Sequence, residues 1–166
     1  MRAPGFYFRP PGLASFLLLP LGILYGAVAA WRMRRPGERA GVPVICIGNP
    51  TLGGAGKTPT AIAVAQMLAA MGEKPGFLSR GYGGKDAGPV LVDPDTHTAA
   101  QVGDEPLLLA RHFPAFVARD RLGGARLAAA SGVSVLVLDD GFQNPALVKD
   151  CSLLVIDGES GIGNGD

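Results

Sequence analysis

Charged side chains are scarce in this chain of 166 residues, at 17%, whereas hydrophobic residues reach 48%. That balance excludes a disordered chain, because enough apolar surface is available to offset the entropy of ordering. Cysteine occurs only as Cys46 and Cys151, and histidine only twice. There is no C-x-x-C pair and no Cys/His ligand spacing, so the chain carries no zinc-site pattern. Each cysteine lies inside an apolar run and reads as a small buried core residue in a reducing compartment. Basic residues do not cluster in residues 42–166, which hold nine basic and thirteen acidic side chains. A nucleic-acid partner would need a basic patch there, and its lack argues against one. No internal repeat or low-complexity tract is present, and the length suits one ordinary domain.

The head of the chain is different. Residues 1–41 hold six arginines and one glutamate, and residues 13–31 (LASFLLLPLGILYGAVAAW) carry no charge at all. Nineteen such residues are about enough to cross a hydrocarbon core as a helix, and Pro20, Gly22 and Gly26 weaken that helix without forbidding it in lipid. Three readings stay open: a span, a helix lying on the membrane surface, and a helix buried against the body. Tyr25 and Trp31 suit the headgroup level, and the arginines of RMRRPGER suit anionic lipids. In either membrane reading the body is cytoplasmic, by the positive-inside bias or by default. Ala27-Val28-Ala29 imitates a secretory cleavage site, but cleavage would carry outside a body whose residues 49–60 (NPTLGGAGKTPT) look like a phosphate cradle, which has no ATP to bind there. The expectation is a membrane-associating segment over 1–41 and a nucleotide-binding domain over 42–166.

Residues 49–60 (NPTLGGAGKTPT) follow a short β-branched run, 42–47, and precede a helical pattern, 57–71, closed by Gly72. Strand, glycine-rich turn and helix form the context of a phosphate loop, G-x-x-x-x-G-K-[ST], with Thr51 in place of the outer glycine. Gly53, Gly54 and Gly56 can aim successive N–H groups inward as an anion nest. Lys57 would reach the terminal phosphates and Thr58 would ligate Mg²⁺, with the helix N-terminus behind them. Pro59 costs little in a first helical turn. The competing reading is a turn whose glycines only pack a helix on a strand, and it does not require Lys57 followed by Thr58. The expected nucleotide-binding residues are Thr51, Leu52, Gly53, Gly54, Ala55, Gly56, Lys57 and Thr58, with ATP and Mg²⁺ as cofactors.

Further short strands are expected at 76–79, 90–93, 116–118, 133–138 and 152–156, with helices at 104–113 and 125–131. Alternation of strands and helices predicts an α/β fold, P-loop NTPase-like, with a mainly parallel sheet flanked by helices. Asp139 and Asp140 end an apolar strand, which downstream of a phosphate loop suggests the Mg²⁺ shell, although alone they would read as a cap or turn. Asp104 and Glu105 precede an apolar helical run and read most simply as an N-cap and a first-turn charge. A kinase also needs a carboxylate near the attacking hydroxyl, which makes Asp104 a catalytic candidate.

The strings GNPTLGGAGKTP, LSRGYGG, VGDEPLLLA and LDDGFQN, in this order behind an apolar N-terminal helix, resemble tetraacyldisaccharide 4'-kinase, the lipid A 4'-kinase of Gram-negative bacteria. The resemblance implies transfer of the ATP γ-phosphate to the 4'-hydroxyl of a tetraacylated disaccharide 1-phosphate, at the cytoplasmic face of the inner membrane. It places Lys57 and Asp104 in catalysis, with Asp104 as base, and Thr58, Asp139 and Asp140 in the metal region. Glu105, Arg80 and Gln143 are further site candidates. Asn144 stands where the family usually has histidine. Family members also run on for roughly as long again, so the match implies an N-terminal half, with a second domain and the partner histidine of the catalytic aspartate beyond it. Two alternatives stand beside this one. One is a membrane-associated switch ATPase of the partitioning type, against which Leu52 counts, since that family has lysine there. The other is a catalytically incomplete nucleotide-binding fragment.

Overall fold

The computed structural model describes residues 12–34, 36–49, 56–139, 141, 142, 144–156 and 158. Among them the chain builds α1 (Leu13–Met33), β1 (Val44–Gly48), α2 (Lys57–Ala70), β2 (Pro75–Ser79) and β3 (Val90–Leu91). It continues with α3 (Ala99–Val102), α4 (Asp104–Ala110), β4 (Ala115–Val117), α5 (Arg121–Ala130), β5 (Val135–Asp139) and β6 (Cys151–Leu154). The strands form one sheet in the order β3-β4-β2-β5-β1-β6. All neighbours pair in parallel except β3, which runs antiparallel to β4. The expected mainly parallel α/β architecture is present.

Alternation along the strands divides the core between two faces. Val44, Cys46, Leu78, Phe116, Leu136 and Leu138 point to one side, where they pack with Ala125 and Ala128 of α5. Ile47, Phe77, Ala115, Val117 and Val137 point to the other, against Ala61, Val64 and Ala65 of α2 and Leu109 of α4. With helices on both faces, the central strands are buried throughout, which is why β5 reads as the unbroken apolar run VLVL before its aspartate.

Several expectations shift. Helix α5 starts at Arg121 rather than Ala125, because the Asp120 carboxylate accepts from Leu122 N at 3.1 Å and caps it. Gly123 and Gly124 look like helix breakers, yet a Cβ at Gly124 would stand 2.6 Å from the Ala118 Cβ. Close approach of α5 to the sheet demands glycine there. Helix α3 is not foreseen, and its start is marked by Thr98 N donating to Gln101 Oε1 at 2.8 Å. Gln66 is exposed, so the buried stripe of α2 is Ala61, Val64 and Ala65. The two cysteines part company: Cys46 is buried as expected, whereas Cys151 is exposed because β6 is an edge strand.

At the head, α1 carries Leu18, Leu19, Leu21, Ile23, Leu24, Tyr25 and Val28 exposed on every side, so the reading of a helix buried against the body is not met. Among the described residues no helix is long and apolar enough to cross a membrane. Beyond α1 the chain is stitched to the body: Glu38 N donates to Ala146 O at 2.9 Å and Val148 N donates to Glu38 O at 3.0 Å. Ala40 is buried in the α5-side core.

Candidate functional site

The exit of β1 leads through residues 49–55 to Gly56, whose φ of 78° is a left-handed conformation. Among the described residues no atom crowds that position, and the backbone angle is what favours glycine there. Gly56 is the N-cap of α2 without any side-chain cap, and the first turn contains no acid. The positive end of a helix of 14 residues is therefore left without a neutralising group of its own. Lys57 and Thr58 open this helix, both half-buried, and Pro59 sits in its first turn where a missing donor costs nothing. Thr60 donates its hydroxyl to Gly56 O at 2.9 Å, tying the turn to the helix. Thr51, Leu52, Gly53, Gly54 and Ala55 lie outside the described residues, as do Asp140 and Gln143.

Asp139 ends β5, and β5 lies directly beside β1, with Asp139 level with Ile47. It shares the parity of Val137, which faces α2 and α4. The residue is 2% exposed, and neither carboxylate oxygen has a hydrogen-bond partner among the described residues. A buried carboxylate is costly unless a cation or donors satisfy it, so this one is built to meet something. Among the described residues no group of three or more His, Cys, Asp or Glu could hold a metal ion. A small hard cation held by one or two carboxylates and by phosphate oxygens needs no such group, and the residues present fit Mg²⁺ held in that way.

The strand next to β5 on its other side, β2, exits through Arg80, Gly81, Tyr82, Gly83 and Gly84. Gly81 has a φ of 72°, and a Cβ there would stand 2.5 Å from Val117 Cγ1. The loop lies along α3, with Lys85 N donating to Ala100 O at 3.1 Å and Asp86 N to Gln101 O at 2.9 Å. It also holds the start of α4, since a Cβ at Gly103 would stand 2.6 Å from Tyr82 O. Gly103, at a φ of 93°, occupies the N-cap position. Asp104 is therefore not the cap: it is the first helical residue, exposed, with half-buried Glu105 beside it in the first turn. Arg80 is exposed. Lys57, Thr58, Asp139, Arg80 and Asp104 thus belong to structures gathered at the carboxyl ends of β1, β5 and β2, where open α/β sheets take their ligands.

One residue escapes sequence reasoning. Lys149 donates its ammonium to Phe142 O at 3.1 Å and to Asn144 O at 2.9 Å. Burial lowers its pKa from the ordinary lysine value, and the charge interaction with Cys46 opposes that shift. Nothing in a lone lysine between Val148 and Asp150 signals such a contact. Asn144 acts through its own acceptor, taking Ala146 N at 2.8 Å as a turn-forming side chain does.

Comparison with known proteins agrees with this arrangement. Residues 14–166 match the family LpxK, tetraacyldisaccharide-1-P 4'-kinase. A tetraacyldisaccharide 4'-kinase of Rhodopseudomonas palustris (strain BisB18) is 63% identical over 165 residues, covering 99% of this chain and 48% of that protein. One from Methylobacterium radiotolerans is 62% identical over 166 residues, covering 99% and 51%. The chain thus spans about half the length of the curated relatives it matches. A crystal structure of an "apo" form LpxK from Aquifex aeolicus in complex with ATP superposes with a TM-score of 0.73 at 33% identity, over 82% of this chain and 47% of that one. With a glycine-capped helix after β1, a buried acid on the next strand and a family match along nearly its whole length, the chain belongs to the tetraacyldisaccharide-1-P 4'-kinase family.

Proposed function

We propose that this chain carries the nucleotide- and metal-binding part of an ATP-dependent kinase that phosphorylates the 4'-hydroxyl of a tetraacyldisaccharide 1-phosphate in lipid A biosynthesis. The observation that carries the reading is Asp139, buried and without a hydrogen-bond partner among the described residues, on the strand beside β1. The sheet is read as P-loop NTPase-like. Thr51, Leu52, Gly53, Gly54, Ala55 and Gly56 are the proposed nucleotide-binding residues, whose backbone N–H groups would meet the phosphates, and Lys57 would place a cation on the terminal ones. Thr58, Asp139 and Asp140 would hold Mg²⁺, which neutralises charge on the phosphate oxygens when bound. Asp104 takes the proton of the sugar hydroxyl as its oxygen bonds to the γ-phosphorus and the bond to ADP breaks. Glu105, Arg80 and Gln143 are proposed as further residues of the site.

Lys57→Ala tests the loop. Removing a charged donor from the phosphates should weaken Mg·ATP binding by about tenfold or more, measured by calorimetry. Equal affinity in variant and parent would sink the assignment. Thr58→Ala should mainly lower the response to Mg²⁺.

Residues 1–41 are proposed as the membrane-associating segment and 42–166 as the nucleotide-binding domain, seated at the cytoplasmic face of the bacterial inner membrane. Exposed apolar side chains surround α1, so it needs cover on all sides, and lipid supplies that cover where water cannot. Because Glu38 and Ala40 pack on the body, the clean truncation is residues 1–34. The shortened protein should no longer float with anionic vesicles, and undiminished flotation would place the contact elsewhere.

A further inference from the structure

Between β5 and β6 the chain runs through a connection whose described part contains a single β-bridge, at Leu147. Its first part leans on the end of β1. A Cβ at Gly48 would collide with the Phe142 ring, and a Cβ at Gly141 would stand 3.1 Å from Cys46 Sγ. The Phe142 and Asn144 carbonyls of this connection lie outside any strand, so their partners must come from elsewhere than a sheet ladder. The far end of the same connection returns Lys149, whose ammonium bonds to both. Charge-assisted bonds of this kind are stronger than neutral ones, more so when partly buried.

We propose that Lys149 is a positioning residue for the metal and nucleotide site: its ammonium fixes the Phe142 and Asn144 carbonyls in the turn that follows Asp139, and the Phe142 ring of that turn packs on Gly48, the last residue of β1. The inference rests on the Mg²⁺-nucleotide reading above. Asp139 stands two residues before Gly141, and Gly48 directly precedes Asn49, so a turn held by Lys149 meets both strand ends, one through the chain and the other through the Phe142 ring. Lys149 touches neither ligand. It acts as supporting groups do around metals, through the backbone that carries the ligand residue.

The test is a titration of a fluorescent ATP analogue into the whole protein at a series of Mg²⁺ concentrations. Lys149→Met keeps the apolar stem and removes the donors, and should raise the Mg²⁺ needed for half-maximal binding by about tenfold. Lys149→Arg keeps donors and charge and should bring the midpoint most of the way back. A lower melting temperature with an unmoved Mg²⁺ midpoint would reduce Lys149 to a structural residue and overturn the inference. Should circular dichroism find the Met variant unfolded, Lys149→Gln, with one shorter donor group, takes its place, and an unmoved midpoint there has the same force. Failure of the parent to bind the analogue at any Mg²⁺ concentration would instead overturn the nucleotide reading itself.

Discussion

Replacing Asp104 by asparagine is expected to collapse phosphorylation of the disaccharide by on the order of a hundredfold or more, with nucleotide affinity nearly unchanged. Asparagine is close in shape but cannot accept a proton at neutral pH. In the proposed function the phosphates and metal are held from β1, α2 and β5, so the ATP contacts should not depend on this side chain. Gly103 holds the cap position of α4, so the substitution removes no cap. What it takes from the helix is one first-turn charge, worth about 0.3–1 kcal/mol. A hundredfold loss of rate corresponds to about 2.7 kcal/mol, which that helix term cannot supply. Transfer of labelled γ-phosphate to the lipid, followed by thin-layer chromatography beside a nucleotide titration, separates the cases. A switch ATPase of the partitioning type would keep hydrolysing ATP and make no lipid product with either protein. Full lipid phosphorylation by the variant would remove Asp104 from the mechanism.

Asp139→Asn should move stability and binding in opposite directions. Both oxygens of the native carboxylate are buried without partners among the described residues, and an unsatisfied buried group of this kind costs about 1–3 kcal/mol or more when charged. A neutral amide of the same shape is cheaper to bury, so the nucleotide-free protein should melt about 2 °C higher or more. In the proposed function the same change removes a negative ligand from the metal. Loss of a supporting residue typically weakens metal binding by about 10–100-fold, and loss of a direct ligand should cost at least as much. The pair of measurements is a thermal melt without ligand and a Mg²⁺ titration of nucleotide binding. A variant that melts lower and binds Mg·ATP as well as the parent would show that Asp139 serves the fold rather than the metal.

Much of this was legible in residue order because its cause is local. A left-handed Gly56 between a β-branched strand and a helix, and an apolar run ending in Asp139, each follow from backbone angles and side-chain period within about a dozen residues. The four ordered strings pointed to the family for the same reason, since each is a short turn or cap with a strict steric demand. Other features misled where local pattern and packing disagreed. The expected helix at 125–131 starts four residues earlier, at Arg121, because Asp120 caps it and Gly124 packs closely against Ala118 and Leu78. Asp104 read as a cap until Gly103, held under Tyr82 O, took that place.

By itself, then, the amino-acid order determined the alternation of strands and helices, the charge-poor apolar head and the chemistry available at each turn. Only the tertiary structure decided that the strand of Asp139 lies directly beside β1, that Cys151 falls on an exposed edge, and that Lys149 reaches the carbonyls of Phe142 and Asn144. The physical reason is the same for all three. Strands join through backbone hydrogen bonds that are alike for every residue, so neighbours in the sheet are chosen by the packing of whole faces, among segments far apart in the chain.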